Sequence, residues 1–200
     1  MFTGIIQGQA TVDKITVKPG LNTIHFTFPQ GALNNVQTGA SIAINGTCLT
    51  VVDFDANTAA FDVMTESLRL TNLNELAPGT KVNFERAAKF GDEIGGHLLS
   101  GHIHTTATVV EIIDSKEEFT VVFSIDETWT QYIMPKGFIS INGASLTVGE
   151  TVSENQFRVH LIPETLRITN FKALTPGSRV NIEIDHQTQT IVNTVKRLKL

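Results

Sequence analysis

The sequence predicts a mainly β protein: two tandem six-stranded antiparallel Greek-key β-barrels with short crossing helices, followed by a C-terminal α-helix. Three observations carry this reading. The chain repeats itself with a period near 100 residues, strand-length stretches in each copy alternate apolar and polar residues, and an Asn-Gly pair stands at the same place in both copies.

The repeat comes first. Thr3-Gly4-Ile5-Ile6 aligns with Ser100-Gly101-His102-Ile103 at an offset of 97, as Ala10-Thr11-Val12 does with Ala107-Thr108-Val109. At the same offset Ile44-Asn45-Gly46 and Leu49-Thr50-Val51 fall on Ile141-Asn142-Gly143 and Leu146-Thr147-Val148. One residue is then gained. Glu66-Ser67-Leu68-Arg69-Leu70-Thr71-Asn72 falls on Glu164-Thr165-Leu166-Arg167-Ile168-Thr169-Asn170, Pro78-Gly79 on Pro176-Gly177, and Val82-Asn83 on Val180-Asn181. Solenoid repeats run at about 20–50 residues, so this period means two domains. The expected divisions are an N-terminal barrel at 1–97, a C-terminal barrel at 98–186 and a terminal helix at 187–200.

Within each copy the strands follow from period-two patterning, clearest in Thr23-Ile24-His25-Phe26-Thr27-Phe28 and Arg179-Val180-Asn181-Ile182-Glu183-Ile184. The Asn-Gly pairs at 45–46 and 142–143 lie between apolar runs and predict tight hairpins, whose two central residues both need positive φ. Pro78-Gly79 and Pro176-Gly177 mark further turns. Five or six short strands per copy suit a closed barrel, which has no exposed edge. The segments at 66–69 and 164–167 read as short helices crossing a barrel end, and Asp126 to Met134 as another. From Gln187 onward Thr188, Ile191, Val195 and Leu198 recur at three-to-four spacing, a narrow helical seam. A helix of about 14 residues is marginal alone, so it packs either on its own barrel or on another copy of the chain.

Composition narrows the function. At 41% hydrophobic the chain can fill two cores. The net charge is −5, and the only basic cluster is Lys196-Arg197-Leu198-Lys199, which speaks against nucleic acid as a partner. No apolar run approaches the ~18 residues of a membrane span. Residues 1–6 show neither a basic nor a long apolar stretch, so a cytoplasmic location is expected. Cys48, the single cysteine, cannot form an internal disulfide; it fits a reducing compartment and excludes a cysteine-based zinc cage.

The densest polar stretch, Gly95-Gly96-His97-Leu98-Leu99-Ser100-Gly101-His102-Ile103-His104, joins the copies. Its glycines permit close backbone approach to a ligand. His102 and His104 would share a face of a strand, a spacing some metal sites use, but no third ligand stands at a persuasive distance. The histidines are either structural or face a reactant, where a neutral imidazole exchanges protons near pH 7. Cys48 follows the first Asn-Gly hairpin, and the matched residue is Ser145. A lone cysteine is ordinarily a small hydrophobe. Yet Cys48 and Ser145, Thr50 and Thr147, and Ser67 and Thr165 pair polar hydrogens at like positions, as two pockets for similar molecules would; satisfying barrel ends is the plainer alternative. Asp185 reads equally as a helix-capping charge or a catalytic carboxylate. Lys136, before Gly137 in a turn, is a ligand contact or plain surface.

Four motifs name a family. Met1-Phe2-Thr3-Gly4-Ile5, Asn45-Gly46-Thr47-Cys48-Leu49-Thr50, the junction from Gly95 to His102, and Asn142-Gly143-Ala144-Ser145-Leu146-Thr147 resemble the riboflavin synthase α-chain family, from Met1 to about Val195. The resemblance implies dismutation of two 6,7-dimethyl-8-ribityllumazine molecules. Four carbons pass from one to the other, giving riboflavin and 5-amino-6-(D-ribitylamino)uracil, with no cofactor and no metal. It further implies a homotrimer held by the C-terminal helices, with each site between the N-terminal barrel of one subunit and the C-terminal barrel of its neighbour, and it allows lumazine synthase as a further partner.

By the same resemblance, Gly4-Ile5-Ile6, Cys48-Leu49-Thr50 and Asp62-Val63-Met64-Thr65-Glu66-Ser67 would line a first pocket. Gly101-His102-Ile103, Ser145-Leu146-Thr147 and His160-Leu161-Ile162-Pro163-Glu164-Thr165 would line a second, with Lys136 nearby. His102 would move protons, Cys48 and Ser145 would place or activate the nucleophile, and Ser41, His97 and Asp185 would assist. The rival is a non-catalytic lumazine- or flavin-binding optical protein. Such relatives lose many of these polar residues in one copy, whereas Cys48, His97, His102, Ser145 and Thr147 are all present here.

Overall fold

The computed structural model describes residues 1–153 and 155–198. The first copy folds as β1 (Gly8–Lys18), β2 (Leu21–Thr27), β3 (Ser41–Ile44), β4 (Thr47–Phe54), β5 (Thr58–Met64), α1 (Thr65–Leu70), a 3-10 turn (Asn72–Glu75) and β6 (Lys81–Arg86). Its six strands close into an antiparallel barrel in the order β1-β2-β5-β4-β3-β6. The second copy repeats this plan with β7 (Thr105–Asp114), β8 (Phe119–Ser124), α2 (Glu127–Thr130), β9 (Phe138–Ile141), β10 (Ala144–Thr147), β11 (Thr151–Ser153), β12 (Gln156–Leu161), α3 (Pro163–Ile168), a 3-10 turn (Asn170–Ala173) and β13 (Arg179–Ile184). The chain then ends in α4 (His186–Leu198). Among the described residues no helix is long and apolar enough to cross a membrane.

The second barrel differs from the first at one strand. Where β4 bulges between Val51 and Asp53 and runs on to pair with β5, its counterpart is cut into β10, paired to β9, and β11, paired to β12. Gly149 stands at the cut. Its N–H bonds the Arg158 carbonyl at 2.8 Å, and a Cβ there would press 3.0 Å from the Arg158 Cγ. Six expected strands thus become seven pieces around a nearly closed barrel. The helix expected over 126–134 is likewise only the four residues of α2. The Asp126 carboxylate caps it at Thr128, and Tyr132 and Ile133 continue in tighter turns bonded back to Trp129 and Thr130 before Pro135.

Each barrel has its own aromatic core: Phe26, Phe28, Phe61 and Phe84 in the first, Phe123, Phe157 and Phe171 in the second. Burying each ring contributes about 1.5–3 kcal/mol. A third, small cluster lies between the barrels, where Phe2, Ala43 and Leu99 pack with Cys48 and Ala87. Phe2 and Leu99 exchange backbone hydrogen bonds at 2.8 and 3.0 Å.

The barrels meet through six buried asparagines arranged about a pseudo-twofold axis. Asn45-Gly46 and Asn142-Gly143 form the expected hairpin turns, with φ of 44°, 79°, 45° and 83°, and the two glycines touch backbone to backbone. Asn83 Nδ2 donates to the Asn142 carbonyl at 3.0 Å and Asn181 Nδ2 to the Asn45 carbonyl at 2.9 Å. Asn181 Oδ1 accepts from the Asn72 N–H and Asn83 Oδ1 from the Asn170 N–H, both at 2.7 Å. Asn72 and Asn170 also donate across the axis to Asn142 Oδ1 and Asn45 Oδ1. Bonds across the axis and bonds within each barrel, such as Asn83 N–H to Asn45 Oδ1 and Asn181 N–H to Asn142 Oδ1, together compensate for burying so many amides.

Candidate active site

Two arms build the site. Thr3-Gly4-Ile5-Ile6 precedes the first barrel and Ser100-Gly101-His102-Ile103 the second, and each lies against the other barrel. The Ser145 N–H donates to the Gly4 carbonyl at 2.9 Å, and the Cys48 N–H to the Gly101 carbonyl at 2.8 Å. The glycines are required. Both sit at positive φ, 75° and 79°, and a side chain on Gly4 would come within 2.5 Å of the Ser145 Cβ, on Gly101 within 2.6 Å of the Cys48 Cβ. The grouping expected from the sequence is therefore exchanged: Gly4, Ile5 and Ile6 belong with Ser145, and Gly101, His102 and Ile103 with Cys48.

The Ser145 side is a cleft of about 170 Å³ lined by Gly4, Ile5, Ile6, Ala144, Ser145, Glu164, Thr165, Ile168 and Thr169. Larger grooves of about 610 and 520 Å³ flank it at Ile5 and at Ile168, but it is the smaller cleft that Ser145 lines. His97 Nδ1 lies 2.6 Å from Ser145 Oγ. His97 is held by its backbone N–H, which donates to the Thr3 carbonyl at 3.1 Å, and its buried ring stacks on Phe138 with centroids 4.9 Å apart and planes 18° from parallel. Its Nε2 is buried without a partner among the described residues. Burial pushes the imidazole below its usual range, against a weaker upward pull from the Asp185 charge. A neutral imidazole on a serine hydroxyl can take and return a proton near pH 7.

The Cys48 side is chemically plainer. Cys48 is half-buried among Phe2, Ala43, Leu99 and Ala87. His102 is exposed beside it, its N–H bonded to Ser100 Oγ at 3.1 Å. Ser41 is half-buried on β3, opposite Thr50 on β4. His102 and His104 precede β7 rather than lying in it. His104 Nδ1 accepts the Ile184 N–H, and its ring meets Trp129 edge-on. Burial pushes the His104 imidazole down; the Glu183 charge and a Gln189 hydrogen bond oppose this, while the charges of His102 and His186 reinforce it. Among the described residues no three His, Cys, Asp or Glu side chains cluster as metal ligands.

The remaining sequence-predicted residues fall on two matched shelves. Thr50 and Thr147 are exposed beyond Cys48 and Ser145, whereas Leu49 turns into the core and Leu146 packs against it. Val63 and Leu161 are core residues, so only their backbone can meet a ligand. Met64 and Ile162 stand 58% and 64% exposed as apolar shoulders. Asp62 accepts from Thr23 Oγ1 at 2.6 Å; at the matched position His160 Nδ1 bonds Thr120 Oγ1 at 2.8 Å and lies 3.7 Å from Glu118. Thr65 and Pro163 open α1 and α3, where Glu66 pairs with Arg69 and Glu164 with Arg167 on the surface. The carbonyls of Ser67 and Thr165 accept from Thr71 and Thr169, ending those helices. Lys136 is exposed in a left-handed turn at φ 68°, its N–H on the Val148 carbonyl at 2.8 Å.

Asp185 caps the terminal helix, the first of the two parts its position allowed. Its Oδ2 accepts from Thr188 N–H and Oγ1, each at 2.8 Å, capping α4, while its charge acts on His97. The helix packs on its own barrel through polar contacts: Tyr132 Oη donates to Asn193 Oδ1 at 2.6 Å, and His104 bonds Gln189. Its apolar seam of Ile191, Val195 and Leu198 is left exposed.

Sequence reasoning missed three things: the asparagine network as a whole, Phe138 under His97, and the carboxylates of Glu85 and Glu183, which grip the arms. An asparagine within an apolar alternating strand, as at Asn83 and Asn181, was the available signal, because strands disfavour it.

Comparison with known proteins agrees with this geometry. A family model described as the lumazine binding domain matches residues 3–87 and again 100–185. The chain is 52% identical over 199 residues to the riboflavin synthase of Escherichia coli (strain K12), covering 99% of this chain and 93% of that one. It is 39% identical over 186 residues to the riboflavin synthase of Bacillus subtilis (strain 168), covering 92% and 85%. Among solved structures it resembles LumP complexed with 6,7-dimethyl-8-(1'-D-ribityl) lumazine, with a TM-score of 0.84 at 30% identity over 93% of this chain and 100% of that one. LumP complexed with riboflavin gives 0.85 at 33% over the same shares.

Proposed function

The chain belongs to the lumazine-binding domain family and, within it, is an enzyme of the riboflavin synthase type; from that premise we propose how its two barrels divide the reaction. As the sequence resemblance implies, enzymes of this type dismutate 6,7-dimethyl-8-ribityllumazine, moving four carbons from one molecule to a second. Each barrel holds one of the two lumazines. The observation that carries this is the matched pair of shelves, one at Ser145 completed by Gly4, the other at Cys48 completed by Gly101. Two identical reactants need two similar pockets, and holding their rings face to face supplies much of the rate.

The backbone of both shelves offers N–H and C=O groups to the pyrimidinedione edge. Ser145, with His97 on its hydroxyl, and Cys48 on the other side place or activate the nucleophile, a water that adds to one lumazine and is released again when the four carbons have passed, so that none is consumed overall. Exposed His102 reaches the reacting methyl group or its partner carbon and moves the proton. Asp185 sets the charge at His97, and Ser41 lies behind Cys48. Exposed apolar side chains at the mouths, Ile5, Leu98, Phe138, Met64 and Ile162, suit closure by a second subunit. The active unit is thus a homotrimer in which the barrel of residues 1–97 faces the barrel of residues 98–186 of a neighbour, held by the helix at 187–200 through its uncovered seam. Action in the cytoplasm beside lumazine synthase follows from the same reading.

Mixing the purified chain with the lumazine alone tests this. Riboflavin fluorescence should rise, with one riboflavin formed per two lumazines and no added cofactor. Tight binding without conversion would instead make the chain an optical protein of the LumP kind.

A further inference from the structure

The arms are held by two carboxylates that the reaction does not use. Glu85, on β6, is buried. Its Oε1 accepts from the Thr3 N–H at 2.6 Å and Thr3 Oγ1 at 2.7 Å, and its Oε2 from the Gly4 N–H at 2.9 Å. Glu183, on β13, is its counterpart. Its Oε1 accepts from the Ser100 N–H and Oγ at 2.7 Å each, and its Oε2 from the Gly101 N–H at 3.0 Å. Each carboxylate therefore fixes its own barrel's arm at the glycine that lies against the other barrel. Among the described residues no other side chain is bonded to the backbone of either glycine.

We infer that Glu85 and Glu183 are crossed positioning residues: Glu85, in the first barrel, sets the lumazine shelf at Ser145 in the second, and Glu183, in the second barrel, sets the shelf at Cys48 in the first. This rests on reading the two shelves as lumazine sites. The chemistry requires a carboxylate. Both oxygens accept, so three donors are met at once. A glutamine of the same shape has one acceptor and one amide nitrogen, which must face an N–H of the arm. It either repels Gly4 or, flipped, repels Thr3. Burial pushes the Glu85 carboxyl up from its usual range, while the Thr3 and Gly4 donors pull it back down, so its charge and the seating of the arm sustain each other.

Site-resolved binding tests this. In the full-length protein labelled with nitrogen-15, the Cys48 and Ser145 amides report one shelf each, and riboflavin serves as a probe that is not consumed. In the unaltered chain both amides should respond. Glu85→Gln should weaken the response at Ser145 about tenfold or more and leave that at Cys48 within about twofold; Glu183→Gln should do the reverse. Tenfold corresponds to about 1.4 kcal/mol, the lower end for a hydrogen bond to a charged group. The undisturbed shelf in the same molecule shows that the variant is folded. If Glu85→Gln does not fold, Thr3→Val removes one donor and should give a smaller loss at Ser145, with Thr3→Ser restoring binding. A loss at Cys48 from Glu85→Gln, or equal loss at both amides, overturns the inference and leaves the lumazine reading standing. No response at either amide in the unaltered chain sinks both.

Discussion

Cys48 and Ser145 occupy the same place in the two barrels, follow the same Asn-Gly turn and touch the same kind of arm, yet their surroundings differ. Around Ser145 stand His97, Phe138 beneath its ring, and the Asp185 charge. At the matched positions near Cys48, Ser41 replaces Phe138 and Ala87 replaces Asp185, and the His97 ring lies on the Ser145 side alone. Duplication supplied equal geometry; two substitutions and one added histidine around a single hydroxyl made the halves chemically unequal. The barrels thus need not be different folds to be donor and acceptor.

The sharpest test of that inequality is on catalysis. His102→Gln should lower kcat by about 10²–10⁴-fold while lumazine binding, followed by fluorescence, changes little. Equal loss of binding would make His102 a ligand contact. Next, Ser145→Ala should lower kcat about 100-fold, and Cys48→Ala less than about tenfold, if the imidazole-backed hydroxyl matters more than the thiol. The reverse order in steady-state assays would break the comparison.

Much of this asymmetry could be read before the fold was known, since Cys48 opposite Ser145 follows from aligning the copies, as do both hairpins and the helices α1 and α3. The exchange of arms could not. Period-two patterning says which residues share a face, not which barrel a leading segment crosses to, and nothing local in Gly4 or Gly101 encodes a partner more than forty residues away. The surplus strand piece was hidden for a similar reason, because it depends on Gly149 meeting Arg158 from the next strand. Seven pieces rather than six came from that one contact.

Where the halves are alike, matched substitutions should act alike. Asn83→Ala and Asn181→Ala each strip a buried amide that bonds both barrels, and each should cost about 2–4 kcal/mol, read from urea unfolding. A large difference between them would mean that the pseudo-twofold network is not energetically symmetric. The smallest effect expected is in acid. Burial holds His97 below its ordinary value of 6.5, so the unfolded chain takes up that proton first. The stability it contributes is whole above pH 6.5 and is lost as the pH falls toward the folded value. His97→Gln should flatten part of the fall in Tm below pH 6.5, and His104, which burial shifts the same way, should account for a further part.

The crossed arms also set an order of assembly. Within each barrel the hairpin bonds join near neighbours, and even the pair that closes the first barrel, β1 with β6, stays inside one copy, whereas between the barrels Asn45 meets Asn170 across 125 positions and Asn181 across 136. Contacts that close such long loops are the slow ones to form. A chain emerging from the ribosome can finish its first barrel while Ser145 and the arm at Gly101 are still unmade. If the shelves hold lumazines as proposed, nascent or half-folded molecules have no complete one, and ligand then stabilises the finished tandem.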